Sequence, residues 1–73
     1  MAQVQVKSEM VGIVYQVAVQ PGTKIDADSD VVVLEAMKMQ IPVPSPVSGT
    51  VVSIHVSEGA TINEGDLIAV IDA

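Results

Sequence analysis

With 73 residues, nine acidic and three basic side chains, a formal net charge of −6 and no cysteine, the chain is expected to form one small domain, residues 1–73, with no disulfide framework and no thiolate chemistry. A domain of this size buries only about 60% of the surface its unfolded chain exposes, so any chemistry should sit at the surface or be supplied by a partner. The acidic balance argues against nucleic acid and anionic membrane as partners and suits docking on basic patches of other proteins.

The opening Met1-Ala2-Gln3-Val4-Gln5-Val6-Lys7 lacks the basic region and apolar run of a signal peptide. No later segment nears the ~20 apolar residues of a membrane helix, and a cytoplasmic location is expected. Valine and isoleucine dominate the apolar residues, and Tyr15 is the only aromatic; such β-branched side chains favour a pleated sheet. Tyr15-Gln16-Val17-Ala18-Val19 alternates with period two, as a half-buried strand does. Gln20-Pro21-Gly22-Thr23 is a turn in which Gly22 can supply positive φ. A second turn, Asp26-Ala27-Asp28-Ser29-Asp30, leads into the buried strand Val31-Val32-Val33-Leu34. After the segment 35–40 comes Ile41-Pro42-Val43-Pro44-Ser45-Pro46-Val47, where proline at every second position leaves one strand side without amide donors. Such a strand pairs on one edge only or crosses between sheets. Val52-Ser53-Ile54-His55-Val56 alternates again, Ser57-Glu58-Gly59-Ala60 and Asn63-Glu64-Gly65-Asp66 are turns, and Leu67-Ile68-Ala69-Val70-Ile71 is a last buried strand. Helical periodicity is absent throughout.

The second half repeats the first. Sliding residues 12–36 over 49–73, an offset of 37, gives seven identities in 25 ungapped positions, among them Gly12/Gly49, Val14/Val51, Gly22/Gly59 and Ile25/Ile62. Two equivalent halves related by a pseudo-twofold axis are expected, and such repeats decide the fold. The architecture predicted is all-β: two small sheets facing each other, their short edges blunted by proline and charge. Those edges favour a monomer. The symmetry mate of Lys38 falls in the gap between the chain termini, so Lys38 is expected at the end of the molecule opposite both.

Glu35-Ala36-Met37-Lys38-Met39-Gln40 lies between two strand-like stretches without proline or glycine, so a tight hairpin is the simplest connection. Methionine usually fills gaps in cores; two beside a lysine at an exposed turn suggest a lysine displayed for modification, flanked by side chains that an enzyme can read.

Glu35-Ala36-Met37-Lys38-Met39 resembles the attachment motif of biotinyl domains, including biotin carboxyl carrier proteins and the small free-standing biotin/lipoyl attachment proteins. Ile41-Pro42-Val43, Ser45-Pro46-Val47-Ser48-Gly49-Thr50-Val51 and Glu64-Gly65-Asp66-Leu67-Ile68 are similar to later parts of that family, so the resemblance covers most of the chain. It implies a flattened β-barrel of two four-stranded sheets with the modified lysine on a hairpin tip. It further implies covalent biotin on Lys38, with Glu35, Ala36, Met37 and Met39 forming the motif read by a biotin protein ligase. The implied role is non-catalytic: the arm carries carboxybiotin from a biotin carboxylase to a carboxyltransferase. Gln40 stands where the family often has glutamate, Asp28-Ser29-Asp30 lacks the glycine that the second half has at Gly65, and no insertion resembles the protruding thumb of some bacterial carriers.

Two other functions fit less well. Lipoyl carriers more often resemble Asp-Lys-Ala at the lysine, whereas this chain has Met-Lys-Met. An unmodified adaptor would not need Lys38. The segment 26–30 resembles the opening of a calcium loop, but its sixth position would be Val31 and its twelfth Met37 in place of glycine and glutamate. His55 is expected to point outward with Ser53 and has no ligand partners in the sequence. Tyr15 is expected to pack on the sheet with its hydroxyl in water. Glu35 and its repeat mate Asp72 are expected to share a structural role.

Overall fold

In the computed structural model, which describes residues 2–73, eight strands run through the chain: β1 (Gln3–Lys7), β2 (Gly12–Val17), β3 (Lys24–Ile25), β4 (Asp30–Ala36), β5 (Met39–Pro44), β6 (Gly49–Ile54), β7 (Thr61–Ile62) and β8 (Leu67–Asp72). They form two antiparallel four-stranded sheets, with strand orders β1-β8-β6-β3 and β5-β4-β2-β7. No helix occurs among the described residues. The all-β class, the two-sheet architecture and the strand–turn–short strand–turn–strand rhythm expected from the sequence are all present.

The repeat extends to the hydrogen-bond register. The β4–β5 partners Glu35↔Gln40, Leu34↔Ile41, Val33↔Pro42 and Val32↔Val43 match the β8–β1 partners Asp72↔Gln3, Ile71↔Val4, Val70↔Gln5 and Ala69↔Val6, each 37 positions apart. The β2–β4 and β6–β8 ladders match in the same way. Even the last rung is repeated. Ala36 pairs with Met39, and at the equivalent place Ala73 N–H donates to the Ala2 carbonyl at 2.9 Å. The symmetry mate of the hairpin is therefore the junction of the termini. Met1, the arithmetic counterpart of Lys38, lies outside the described residues. From this junction β1 runs away for about 17 Å at ~3.3 Å per residue, and the chain next enters β2 at Gly12, beside Glu35 and Ala36. Lys38 is thus at the end opposite the termini of a molecule 36 Å long and 18 × 17 Å across.

Four β-bulges, in two symmetric pairs, modify the simple alternation. Tyr15 in β2 and Val52 in β6 are extra residues, as are Val31 in β4 and Ile68 in β8. A bulge re-aims side chains. Two consecutive residues, Val31-Val32 in one half and Ile68-Ala69 in the other, are consequently buried completely. The same effect turns Tyr15 out, where its side chain is half exposed. It also moves β2 and β6 earlier than the alternating segments suggested. Tyr15-Gln16-Val17-Ala18-Val19 is only partly strand, because β2 starts at Gly12 and ends at Val17.

The core between the sheets contains Val6, Val14, Val32, Leu34, Val51, Ile68 and Ile71, all buried. Two buried serines mark two symmetry-related points where the chain changes sheet. Ser8, between β1 and β2, donates its hydroxyl to the Met10 carbonyl at 2.6 Å, and Ser45, between β5 and β6, does the same to the Val47 carbonyl at 2.6 Å. Their backbones tie to the far turn: Ser8 N–H to the Asp66 carbonyl, and Ser45 N–H to the Ser29 carbonyl. Buried polar groups are tolerated when bonded in this way. The proline-spaced segment behaves as expected, since β5 is an edge strand that pairs only with β4.

Candidate functional site: the β4–β5 hairpin

The hairpin owes its shape to the ladder on either side of it. Six Cα pairs join β4 to β5, ending at Ala36↔Met39. That register leaves only two residues, Met37 and Lys38, to reverse the chain, with φ of 52° and 64°. Two successive positive φ values are the type I′ pattern, whose twist matches that of the flanking strands and which usually selects Asn-Gly. Neither methionine nor lysine favours this conformation, which costs roughly 1–2 kcal/mol per L-residue. The absence of glycine correctly suggested a tight connection but concealed its geometry.

The tip projects into solvent. Met37 is 93% exposed and Met39 64%; Lys38, Glu35 and Gln40 are also exposed, and Ala36 is partly buried. Glu35, Ala36, Met37, Lys38 and Met39, singled out from the sequence, therefore sit on one contiguous hairpin end. Ala36 is the least accessible because β2 passes close by at Gly12. A Cβ at Gly12 would lie 3.2 Å from the Glu35 carbonyl oxygen and 3.7 Å from the Ala36 Cβ. The Gly12/Gly49 identity was visible in the repeat, but its reason, the approach of β2 to the end of β4, was not.

A groove of about 490 Å³ runs between the edge strands β1 and β5 past Val6, Leu34, Val43 and Ser45. None of residues 35–40 lines it. The lysine is displayed on the surface, outside this groove. Of the other residues considered, His55 is exposed and shares a 2.8 Å hydrogen bond with the Ser53 hydroxyl. Asp28 takes φ 72° where the second half uses Gly65 at 88°, so the missing glycine is replaced by a residue that tolerates this region. Among the described residues no group of three histidine, cysteine or acidic side chains is placed to hold a metal ion. Glu35 is exposed and Asp72 partly so; they share the same ladder register.

The result is an all-β body with one lysine exposed on its extreme tip. Residues 4–71 match the family described as biotin-requiring enzymes, and the chain belongs to that family. It is 47% identical over 66 residues to the biotinylated protein TB7.3 homolog of Mycobacterium leprae, covering 90% of this chain and 93% of that protein. It is 42% identical over 62 residues to the human mitochondrial propionyl-CoA carboxylase alpha chain, covering 85% of this chain but only 8% of that much longer protein. Among solved structures, the urea carboxylase of Kluyveromyces lactis contains a domain that superposes with a TM-score of 0.92 at 30% identity, covering 99% of this chain and 6% of that one.

Proposed function

We propose that this chain is a non-catalytic biotin carrier and that Lys38 is the residue to which biotin is joined. The observation that carries this reading is the placement of Lys38 between two exposed methionines on a two-residue turn, at the far end of a rigid body. The donor chemistry fits. Biotin has a carboxyl group, and an exposed primary amine is the partner with which it forms a stable amide. A lysine in water is mostly protonated near neutral pH and is then a poor nucleophile. A ligase must therefore supply an activated acyl group and remove the proton. The amine nitrogen forms the new C–N bond as the adenylate leaves, and the domain loses one positive charge.

When attached, biotin supplies a ring nitrogen that accepts a carboxyl group at one enzyme and surrenders it at another. The chain's own part is to hold the arm where both enzymes can reach it. Lys38 on the tip can be approached from many directions, and the body behind it is braced by ladders on both sides. Tethering replaces a freely diffusing cofactor by a local concentration of order millimolar. The proposed partners are a biotin protein ligase, a biotin carboxylase and a carboxyltransferase. Their basic surfaces would complement the domain's charge of −6.

The test is the intact mass of the protein after incubation with a biotin protein ligase, ATP and biotin. One biotinyl group is expected on the parent and none on Lys38→Arg, with both proteins melting at the same temperature. An unmodified parent overturns the proposal, and a lipoate ligase then tests the lipoyl alternative.

A further inference from the structure

The pseudo-twofold provides an internal control. Positions that the fold requires should be alike in the two halves, and a systematic difference marks something the fold does not need. Around the termini, the equivalents of the residues beside the hairpin are small or polar: Ser48, Thr50 and Ala2. Around Lys38 the same positions are Val11, Ile13 and Met39, all apolar and all exposed, at 59%, 45% and 64%. Tyr15 is exposed too, but its mate Val52 is also apolar and exposed, so that pair carries no information.

Val11 and Ile13 lie beside the tip on one face of the sheet, with Glu35 level with Ile13, whereas Met39, level with Ala36, projects to the other face. Ile13 is the direct partner of Glu35 across β2 and β4. Gly12 comes next, against Ala36, and one residue further along the antiparallel pair Val11 is level with Met37. Val11 and Ile13 are two apart, so they share the outer face of the sheet. Exposed Glu9 and Glu35 flank them. Isolated exposed apolar residues are ordinary, but a contiguous group rimmed by charge marks an interaction surface.

We infer that Val11 and Ile13 on β2 form a second docking element for the ligase that acylates Lys38, a deepening that rests on the carrier reading. The occupant is the ligase because of where the chemistry happens. The ligase must draw the lysine nitrogen itself into its active site, which brings its surface against the residues next to the tip. The carboxylating and accepting enzymes need reach only the far end of a long, flexible arm. Glu9 and Glu35 require that the ligase surface be apolar at its centre and basic at its rim.

The experiment exploits the symmetry. Val11→Ser and Ile13→Thr install the residues that the other half already carries at equivalent positions, so the fold accommodates them. Thr50→Ile makes the opposite change at the far end and serves as control. Steady-state biotinylation by a biotin protein ligase, followed by intact mass, gives kcat and KM for the parent, the double variant, each single variant and the control. The expected result is a tenfold or greater fall in kcat/KM for the double variant, expressed mainly in KM because the contact is made equally in ground and transition states. Each single variant shows part of the fall, and Thr50→Ile none. A double variant that melts like the parent and is biotinylated with the parent's kcat/KM overturns the inference while leaving the carrier reading intact. A parent that takes no biotin overturns both. A concentration-dependent dimer in sedimentation that Val11→Ser/Ile13→Thr dissolves would assign the surface to a second copy of the chain and overturn the ligase assignment.

Discussion

Replacing Met37 by asparagine should stabilise the protein. Met37 holds φ at 52° and is followed by Lys38 at 64°, and the left-handed region costs an ordinary L-residue roughly 1–2 kcal/mol. Asparagine tolerates that region, and it is the residue that type I′ hairpins favour at their first position. Little is lost in exchange, since the Met37 side chain is 93% exposed and buries almost no apolar area. A net gain of about 1 kcal/mol is expected, and for a domain of this size that corresponds to about 6 °C in Tm. The assay is thermal unfolding by circular dichroism or calorimetry, with Met37→Val as a companion. The companion's β-branched side chain is less suited still to positive φ, and its Tm should fall below the parent's. An unchanged or lowered Tm for Met37→Asn, or equal values for the two variants, would refute the claim that the tip is strained. If the strain is present, biotinylation of Met37→Asn should slow as stability rises, because the removed side chain belongs to the proposed recognition motif.

Leu34→Ala removes a fully buried side chain from the middle of β4 and should cost about 3 kcal/mol, a large part of the ~4–11 kcal/mol expected for 73 residues; urea denaturation would show it as a lowered midpoint. Gly49→Ala should be far worse than Gly12→Ala, because the added methyl collides with the Asp72 carbonyl oxygen in the first case and sits 3.2 Å from the Glu35 oxygen in the second; comparable melting temperatures would contradict this. Closing the backbone by linking Ala73 to Ala2 through Asn-Gly, in place of Met1, recreates at the termini the two-residue hairpin found at residues 37–38. The entropic limit for a ring of this size is about 4 kcal/mol, and a cyclic protein that melts no higher than the linear one would deny the register equivalence of the two ends.

The sheets and the hairpin were legible in the sequence because their signals are local or repeated. Alternation, paired glycines and the offset of 37 all survive without knowledge of contacts. What escaped depends on partners that are distant in sequence. The bulges at Tyr15, Val31, Val52 and Ile68 add a residue to one strand only, and nothing in a single strand shows how its neighbour is registered. Strand β1 escaped for a similar reason. Gln3–Lys7 is a plain alternating stretch whose importance lies in completing the sheet beside β8. The buried serines Ser8 and Ser45 are 37 apart, but a polar residue at a sheet crossing looks like any loop serine until its burial is known.

The same symmetry separates what the fold needs from what function adds. Ser8 and Ser45 and Asp28 and Gly65 hold matching places with matching hydrogen bonds or dihedral angles, and Gly12 and Gly49 meet the equivalent carbonyls of Glu35 and Asp72, so their identities are explained by folding alone. Where the halves differ, the reason must be sought position by position: Ser48 accepts a hydrogen bond from Ala27 N–H at 2.9 Å, a bond its mate Val11 cannot make. Met37 and Lys38 occupy a turn that a stability-driven choice would give to asparagine and glycine. Val11 and Ile13 stand exposed where the other half has Ser48 and Thr50. Both departures lie at one end of the molecule and on either side of one amine. Their position on either side of Lys38 is what the ligase-docking experiment probes.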